Sequence, residues 1–318
     1  MTIKYISVIV PAHNEEEFIE CCLGSLEKQV YLKDNFEVIV VNNNSTDKTL
    51  ELAQHFDVKI INQKDGPVGA VRNAGAKAAQ GEYLAFIDAD CIAPPKWLAL
   101  GIEALSSDDA VYGGGYNLRP SPYWIEKAWI LEDKIPPKEL LGGCIFIKKI
   151  DFFSIGGFDE DITSGEDTNL SLSLKSHGYN VKLTNRLSVV HLGNPTSLKH
   201  FLTRQVWHSE NYIQNWNNTK NDPTFYLLLT FLFSLTFLFL NVALDNANGA
   251  GAALTIIFSV PLMFTIKRLY RSRNIERNLR MFFSIYFLDF LYLLGRSAGL
   301  GKSILKWVSP IRKKISQQ

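Results

Sequence analysis

The sequence predicts a mainly parallel α/β domain followed by helices that enter a membrane, and three observations carry this. Short apolar runs rich in Val and Ile alternate with longer amphipathic stretches over residues 1–110, as βα units around a buried sheet do. Each run is followed by polar or Gly/Pro-containing residues, which end strands. Near Thr224 the composition turns apolar, with no charged residue over 225–244.

The first run, 6–10, is too short for a signal-peptide core and leads into Pro11, so it reads as a strand. Further strands are expected at 37–41, 58–61 and 83–87, with helices at 16–29, 46–55 and 69–79 between them. Such regular alternation predicts a Rossmann-like half, in which ligands bind beyond the carboxyl ends of the strands. Those ends carry Pro11-Ala-His-Asn-Glu15, Asn42-Asn-Asn-Ser-Thr-Asp47 and Asp88-Ala-Asp90. Over 111–192 Gly-rich turns surround a strand at 144–148, a helix at 167–177 and a strand at 188–191. The expected division is a domain at 1–222, in halves 1–110 and 111–222, and a membrane region at 223–318.

Residues 225–244 match the thickness of a bilayer core, and a polar break at 245–248 leads to a second uncharged stretch, 249–266. Lys267, Arg268, Arg271, Arg273, Arg277 and Arg280 follow it, whereas the turn at 245–248 has no Lys or Arg. Basic residues mark the cytoplasmic side, so an integral membrane protein with its N-terminal domain on that face is expected. A third apolar run within 281–295 is shorter, contains Asp289, and is followed by Arg296, Lys302, Lys306, Arg312, Lys313 and Lys314. It fits a third transmembrane helix or an interfacial one. With 33 Lys+Arg against 32 Asp+Glu the net charge is +1, which offers no nucleic-acid surface. The four cysteines, Cys21, Cys22, Cys91 and Cys144, have neither zinc-site nor disulfide-framework spacing.

Asp88 and Asp90 emerge from an apolar strand two residues apart, so in extended geometry both carboxylates point the same way. Hard divalent cations prefer such oxygen donors, and Mg²⁺ or Mn²⁺ would bridge them to phosphates. Alone, two strand-end aspartates would as readily cap a helix. Here they belong to an ordered set: V-I-V-P-A-H-N-E at 8–15, E-V-I-V-V-N-N-N-S-T-D at 37–47, R-N-A-G at 72–75 and G-E-Y-L-A-F-I-D-A-D at 81–90. In order and spacing this set closely resembles the nucleotide-sugar-binding half of the family 2 glycosyltransferases, inverting enzymes with the GT-A fold (a Rossmann-like nucleotide-diphospho-sugar transferase domain). The resemblance covers 5 to about 192.

By that resemblance Pro11, His13 and Glu15 border the nucleoside, Asn43 faces the base, and Arg72 lies near the base or diphosphate. Asp88 meets ribose or a metal-bound water, Ala89 follows it, and Asp90 binds the metal, neutralising the departing nucleoside diphosphate. His191, closing a strand, would complete the metal site, although such a histidine is often simply packed. The stretch Gly165-Glu-Asp-Thr-Asn-Leu170 resembles the acceptor-site segment, with Asp167 as catalytic base and Glu166 in support. Gly143 and Cys144 fall in an acceptor-side loop, and Arg204 and Trp207 on a helix near the acceptor, where Arg204 would meet phosphate and Trp207 a sugar ring or the membrane surface.

Many family members carry Asp-Asp where this chain has Asn42-Asn43, which leaves base contact possible but changes its hydrogen bonding; uridine is the preferred base. The Gln-x-x-Arg-Trp pattern of processive synthases is lacking, so non-processive transfer to a lipid-linked or membrane-proximal glycan acceptor is expected. A polyprenyl-monophosphate sugar synthase and a catalytically silent membrane scaffold stand as alternatives. A dinucleotide-dependent oxidoreductase does not, because no G-x-G-x-x-G turn follows the first strand.

Overall fold

The structure is a computed structural model that describes residues 4–64, 66–130, 136–214, 216–272 and 278–315, the side chains of 217, 218 and 309–315 excepted. In chain order its elements are β1 (Ile6–Ala12), α1 (Ile19–Glu27), β2 (Phe36–Asn43), α2 (Thr49–Ala53), β3 (Lys59–Gln63), α3 (Val68–Ala78), β4 (Tyr83–Phe86), β5 (Cys91–Ile92) and α4 (Trp97–Ser107). Then come β6 (Ala110–Gly113), β7 (Tyr116–Asn117), α5 (Trp124–Ile130), β8 (Ile145–Lys148), α6 (Lys149–Ser154), α7 (Glu166–Ser176), β9 (Asn180–Leu183) and β10 (Val189–His191). Four further helices, α8 (Leu198–Ser209), α9 (Trp216–Thr219), α10 (Pro223–Ala243) and α11 (Ala247–Arg271), precede the last, α12 (Leu279–Ile315).

Two compact units result: Met1–Ser121 with Lys134–Asn194, and Pro122–Asp133 with Pro195–Gln318. Helix α8 therefore groups with the apolar helices in the second unit. Its buried residues Phe201, Gln205 and Ser209 are spaced by four along one stripe, which needs a helical partner.

In the first unit the larger sheet has the order β3-β2-β1-β4-β8-β6-β9. The strands β3, β2, β1 and β4 are parallel, as the sequence predicts. Strand β8 runs antiparallel to both neighbours, and β6 pairs in parallel with β9. All seven residues of β1 are buried, because helices cover both faces of a parallel sheet and leave no solvent side. Helix α1 buries Ile19, Cys22, Leu23 and Leu26, an i, i+3, i+4, i+7 stripe. Helix α3 approaches from the other side so closely that a Cβ on Gly75 would lie 2.5 Å from Ile9 Cγ2. The glycine of the Arg-Asn-Ala-Gly motif is thus a packing requirement. Trp97 packs on Phe146 with ring centroids 4.5 Å apart, and truncating such a buried ring costs about 3–5 kcal/mol.

A second sheet, β5-β10-β7, is short but decisive for function. Its antiparallel register sets His191 opposite Cys91, next to Asp90.

In the second unit α10, α11 and α12 are long and apolar enough to cross a membrane. Asp222 caps α10 by accepting from the Thr224 amide at 2.9 Å, with Pro223 in the first turn, where its missing N–H costs nothing. A turn with Asp245 at φ 52° links α10 to α11, and Asn246 Nδ2 donates to Asn241 Oδ1 at 2.8 Å across it. The third helix is 37 residues long rather than the 281–295 segment expected. A Cβ on Gly295 would lie 2.7 Å from Gln205 Cβ, and one on Gly299 2.0 Å from Ser209 Oγ. These two glycines let α12 lie against α8. Asp289 is buried and paired with Arg268 at 2.7 Å and Thr265 Oγ1 at 2.8 Å, so a charge inside the apolar run is matched. Of the expected basic residues, Arg273 and Arg277 lie outside the described residues, as do the side chains of Arg312, Lys313 and Lys314.

Candidate active site

The carboxyl ends of β1, β2 and β4 converge with the start of α7. Behind β1, Pro11 and Ala12 remain buried strand residues, while His13 is exposed and accepts no strand partner. Its Nδ1 hydrogen-bonds the carbonyl of Asn43 at 2.6 Å. Asn14, at φ 55°, turns the chain there and accepts the Thr46 amide at 2.8 Å, in a left-handed conformation that Asn tolerates. Asn43 Nδ2 donates to the Gly66 carbonyl at 3.1 Å, a bond that an aspartate could not make, and its Oδ1 is buried without a hydrogen-bond partner among the described residues. Neighbouring Asn42 bonds Asn62 at 2.9 Å.

Arg72 is the hinge pin of the site. It lies on α3, 3% exposed, with Nη2 on Asp88 Oδ1 and Nη1 on Glu166 Oε1, both at 2.6 Å. The two carboxylates hold its guanidinium charged far above the ordinary arginine range despite burial. One residue on, Asn73 Nδ2 donates to the Phe158 carbonyl at 2.9 Å, and its Oδ1 accepts the Phe158 amide at 2.9 Å. The Arg-Asn pair therefore ties the first half of the domain to the segment leading into α7. Gly165, at φ 81°, provides the left-handed turn from which Glu166 and Asp167 open that helix.

Asp88 and Asp90 flank buried Ala89. Asp88 Oδ2 accepts Tyr116 O–H at 3.3 Å, and Tyr116 in turn accepts the Gly143 amide at 3.1 Å. Burial and Asp88 push the Tyr116 phenol well above its usual range, which keeps its proton in place for that bond. His191 Nε2 lies 3.4 Å from Asp90 Oδ2, and its ring packs on Tyr116 at 4.5 Å. One ligand atom each from Asp88, Asp90, Cys91 and His191 lies within 4.8 Å of the others. The Cys91 thiol is pushed well above its usual range by burial and by Asp90. Glu15 adds to the crowding: burial first, then Asp90 and Asp88, raise its carboxyl to about 8. Several acids compressed beside one imidazole are what a hard divalent cation relieves, and the donor set fits Mg²⁺ or Mn²⁺.

Asp167 is half-buried, with Oδ1 accepting the Thr168 amide at 2.7 Å and Oδ2 the Gly142 amide at 3.1 Å. Burial, then Glu166, raises its pKa to about 6, against the opposing pull of Arg72 and the two amides. Gly142 and Gly143 leave room for the charged groups: a Cβ on the first would lie 2.3 Å from Arg72 Nη2, and on the second 2.7 Å from Asp88 Oδ2. Gly193 does the same for Asp90, where the distance would be 1.9 Å.

The structure thus brings together Glu15, Arg72, Asp88, Asp90, Gly143, Glu166, Asp167 and His191, while Asn43 bonds His13 and Gly66 at the end of β2. Cys144 is turned into the core, its thiol donating to the Leu187 carbonyl at 2.9 Å and pushed up to about 12 by burial. Arg204 and Trp207 are residues of α8 in the second unit, with Trp207 43% exposed. Tyr116, Gly142 and Gly193 were not singled out by the sequence. Only the Gly-Gly pair at 142–143, straight before a strand, signals a close backbone approach.

Residues 7–157 match the family model described as glycosyl transferase family 2. Over 231 residues the chain is 28% identical to Glycosyltransferase AglE of Haloferax volcanii, covering 68% of this chain and 75% of that protein. Over 90 residues it is 40% identical to the poly(ribitol-phosphate) beta-N-acetylglucosaminyltransferase TarS of Staphylococcus aureus, covering 26% of this chain but only 16% of that protein. Among solved structures, the mannosyltransferase PcManGT from Pyrobaculum calidifontis, in complex with GDP-Man and Mn²⁺, superposes with a TM-score of 0.59 at 18% identity, over 92% of this chain and 87% of that one.

Proposed function

The chain carries a family 2 glycosyltransferase domain of GT-A fold, and on that premise we propose that it moves a sugar from a nucleotide-sugar, with inversion, onto a hydroxyl of a lipid-linked or membrane-proximal glycan. One observation carries the reading: Arg72 joins Asp88, of the Asp-Ala-Asp motif, to Glu166, the immediate neighbour of a carboxyl with raised proton affinity, Asp167. Donor activation and acceptor deprotonation are thereby fixed in one rigid array.

Asn43 Oδ1, buried and without a partner among the described residues, would accept an N–H from the base, the ring imide of uracil foremost. With both oxygens of Asp88 engaged by Arg72 and Tyr116, Asp90 and His191 would be the direct ligands of a cation and Asp88 would hold a bound water or a ribose hydroxyl. When bound, Mg²⁺ or Mn²⁺ neutralises the charge that develops on the departing nucleoside diphosphate. Asp167 takes the acceptor hydroxyl's proton as its oxygen attacks the anomeric carbon, and the bond to the diphosphate breaks on the opposite face. The Gly142 and Thr168 amides keep the carboxylate aimed. Arg72 favours its ionised form at neutral pH.

Lys267, Arg268 and Arg271 at the end of α11 and Arg280 at the start of α12, against a turn at 245–248 without Lys or Arg, support a cytoplasmic catalytic domain. The test is a panel of UDP-, GDP- and other nucleotide-sugars incubated with the full-length chain in detergent and a lipid extract. Release of one nucleoside diphosphate, coupled to a glycolipid product, is the expected result. Absence of transfer from every donor would overturn the proposal.

A further inference from the structure

All three apolar helices are long enough to cross a bilayer, but the contacts within the second unit separate α12 from the other two. Helices α10 and α11 form a hairpin: a short turn joins them, Asn246 bonds back to Asn241, and Phe225, Leu228 and Phe231 pack with Ile257 and Val260. The start of α10 and the end of α11 therefore lie on the same side. Helix α12 begins at Leu279, soon after α11 ends at Arg271. Near its other end Lys302 and Lys306 bond the two oxygens of Glu210 at 2.9 and 2.8 Å. Between them Ser303 Oγ donates to Gln214 Oε1 and accepts the Ile213 amide, each at 3.1 Å. Glu210, Ile213 and Gln214 precede α10, so they share its starting side.

Both ends of the stretch 279–306 are thus on one side of the hairpin. At 1.5 Å per residue that stretch is about 40 Å long, more than the roughly 30 Å hydrocarbon core, and a crossing helix would separate its ends. The middle is held too, since Gly295 and Gly299 abut Gln205 and Ser209 of α8. Helix α8 carries Lys199, His200, Arg204 and His208, which do not enter hydrocarbon in its company.

We propose that α12 lies in the membrane surface beside α8, that the chain crosses the bilayer only twice, and that the exposed stripe of α12 docks on the lipid interface. The stripe runs through exposed Phe283, Phe287, Ala298 and Leu305, with half-buried Leu294 midway, spaced by four, seven, four and seven on one helical face without a charge. Phe283 is 61% and Leu305 71% exposed. The occupant is set by what stands around it: the apolar hairpin rises from the same level, and exposed Tyr226, Tyr270 and Trp307 mark a belt of the kind aromatic side chains form at headgroups. The surface does not depend on the reading of the chemistry.

The test places a depth-sensitive label on Phe283→Cys, Leu294→Cys or Leu305→Cys in the full-length chain with exposed Cys21→Ser, reconstituted in phosphatidylcholine–phosphatidylglycerol vesicles. Equal, shallow depths of about 5–10 Å at all three positions are expected. A crossing helix would instead sink Leu294 about 16 Å below its neighbours, and that gradient overturns the proposal. Reporter fusions at Gln318 and within the turn at Asn246 provide a second reading that needs no cysteine variant. They should report opposite sides, and a shared side would equally overturn it.

Discussion

Replacing Asp167 with Asn removes the proposed base while keeping its shape. The magnitude follows from the site. Burial and Glu166 raise the carboxyl from 3.8 to about 6, so its proton affinity grows roughly a hundredfold, worth about 3 kcal/mol. A positioned base of this kind contributes about 10²–10⁴-fold. In Asp167→Asn, initial rates of nucleoside diphosphate release should accordingly fall at least a hundredfold, with donor KM within about threefold because the donor side is untouched. The wild-type pH profile carries an independent signature. Only the ionised carboxylate accepts a proton, so kcat/KM should climb with unit slope below pH 6, pass half-maximum near 6 and flatten by about 7. At pH 5 about a tenth of the plateau remains. An Asp167→Asn enzyme within threefold of wild type, or a wild-type profile flat from pH 5 to 7, would refute the role and point to an acceptor whose nucleophile needs no deprotonation.

Arg72→Met leaves two carboxylates without their buried partner, a loss of about 3–5 kcal/mol that should lower the melting temperature of the full-length chain by roughly 10 °C in a thermal scan. Adding Glu166→Gln to that variant should recover part of the loss. Gly193→Ala forces a methyl to within 1.9 Å of the present position of Asp90 Oδ2; metal-dependent turnover should fall more than about tenfold by displacement of a ligand, with a melting temperature near wild type. Asn43→Ala removes the buried acceptor at the end of β2, and donor KM should rise about tenfold at unchanged kcat, the worth of one hydrogen bond of about 1.4 kcal/mol.

Much of the donor half is legible because its signals are local. Strands β1, β2 and β4 announce themselves as apolar runs that lead into Pro11, Asn42 and Asp88; the structure extends β1 and β2 by a few residues and ends β4 at Phe86. The Arg-Asn-Ala-Gly motif is readable as a unit, but not its reason, which combines an ion pair to Glu166, hydrogen bonds to Phe158 and a helix–sheet approach at Gly75. Those partners lie 94 and 85 positions away, a separation no periodicity encodes. The sheet that aims His191 escapes for a related reason: β5 and β7 are two residues each, too short for an alternating pattern. Tyr116 sits in one of them, and only the fold reveals its bond to Asp88. The apolar run of α12 ends at Arg296 in the sequence, whereas the helix continues because Gly295 and Gly299 let it lie against α8 and Lys302 and Lys306 pair with Glu210.

Nucleoside diphosphate release from the preferred nucleotide-sugar, measured after chelation and after adding back Mn²⁺ or Mg²⁺, with Asp90→Asn alongside, tests metal-assisted sugar transfer most directly. Activity should vanish on chelation, return with the cation and stay at least a hundredfold down in Asp90→Asn. Full turnover in chelator, unaffected by that substitution, would contradict the assignment of Asp90 and His191.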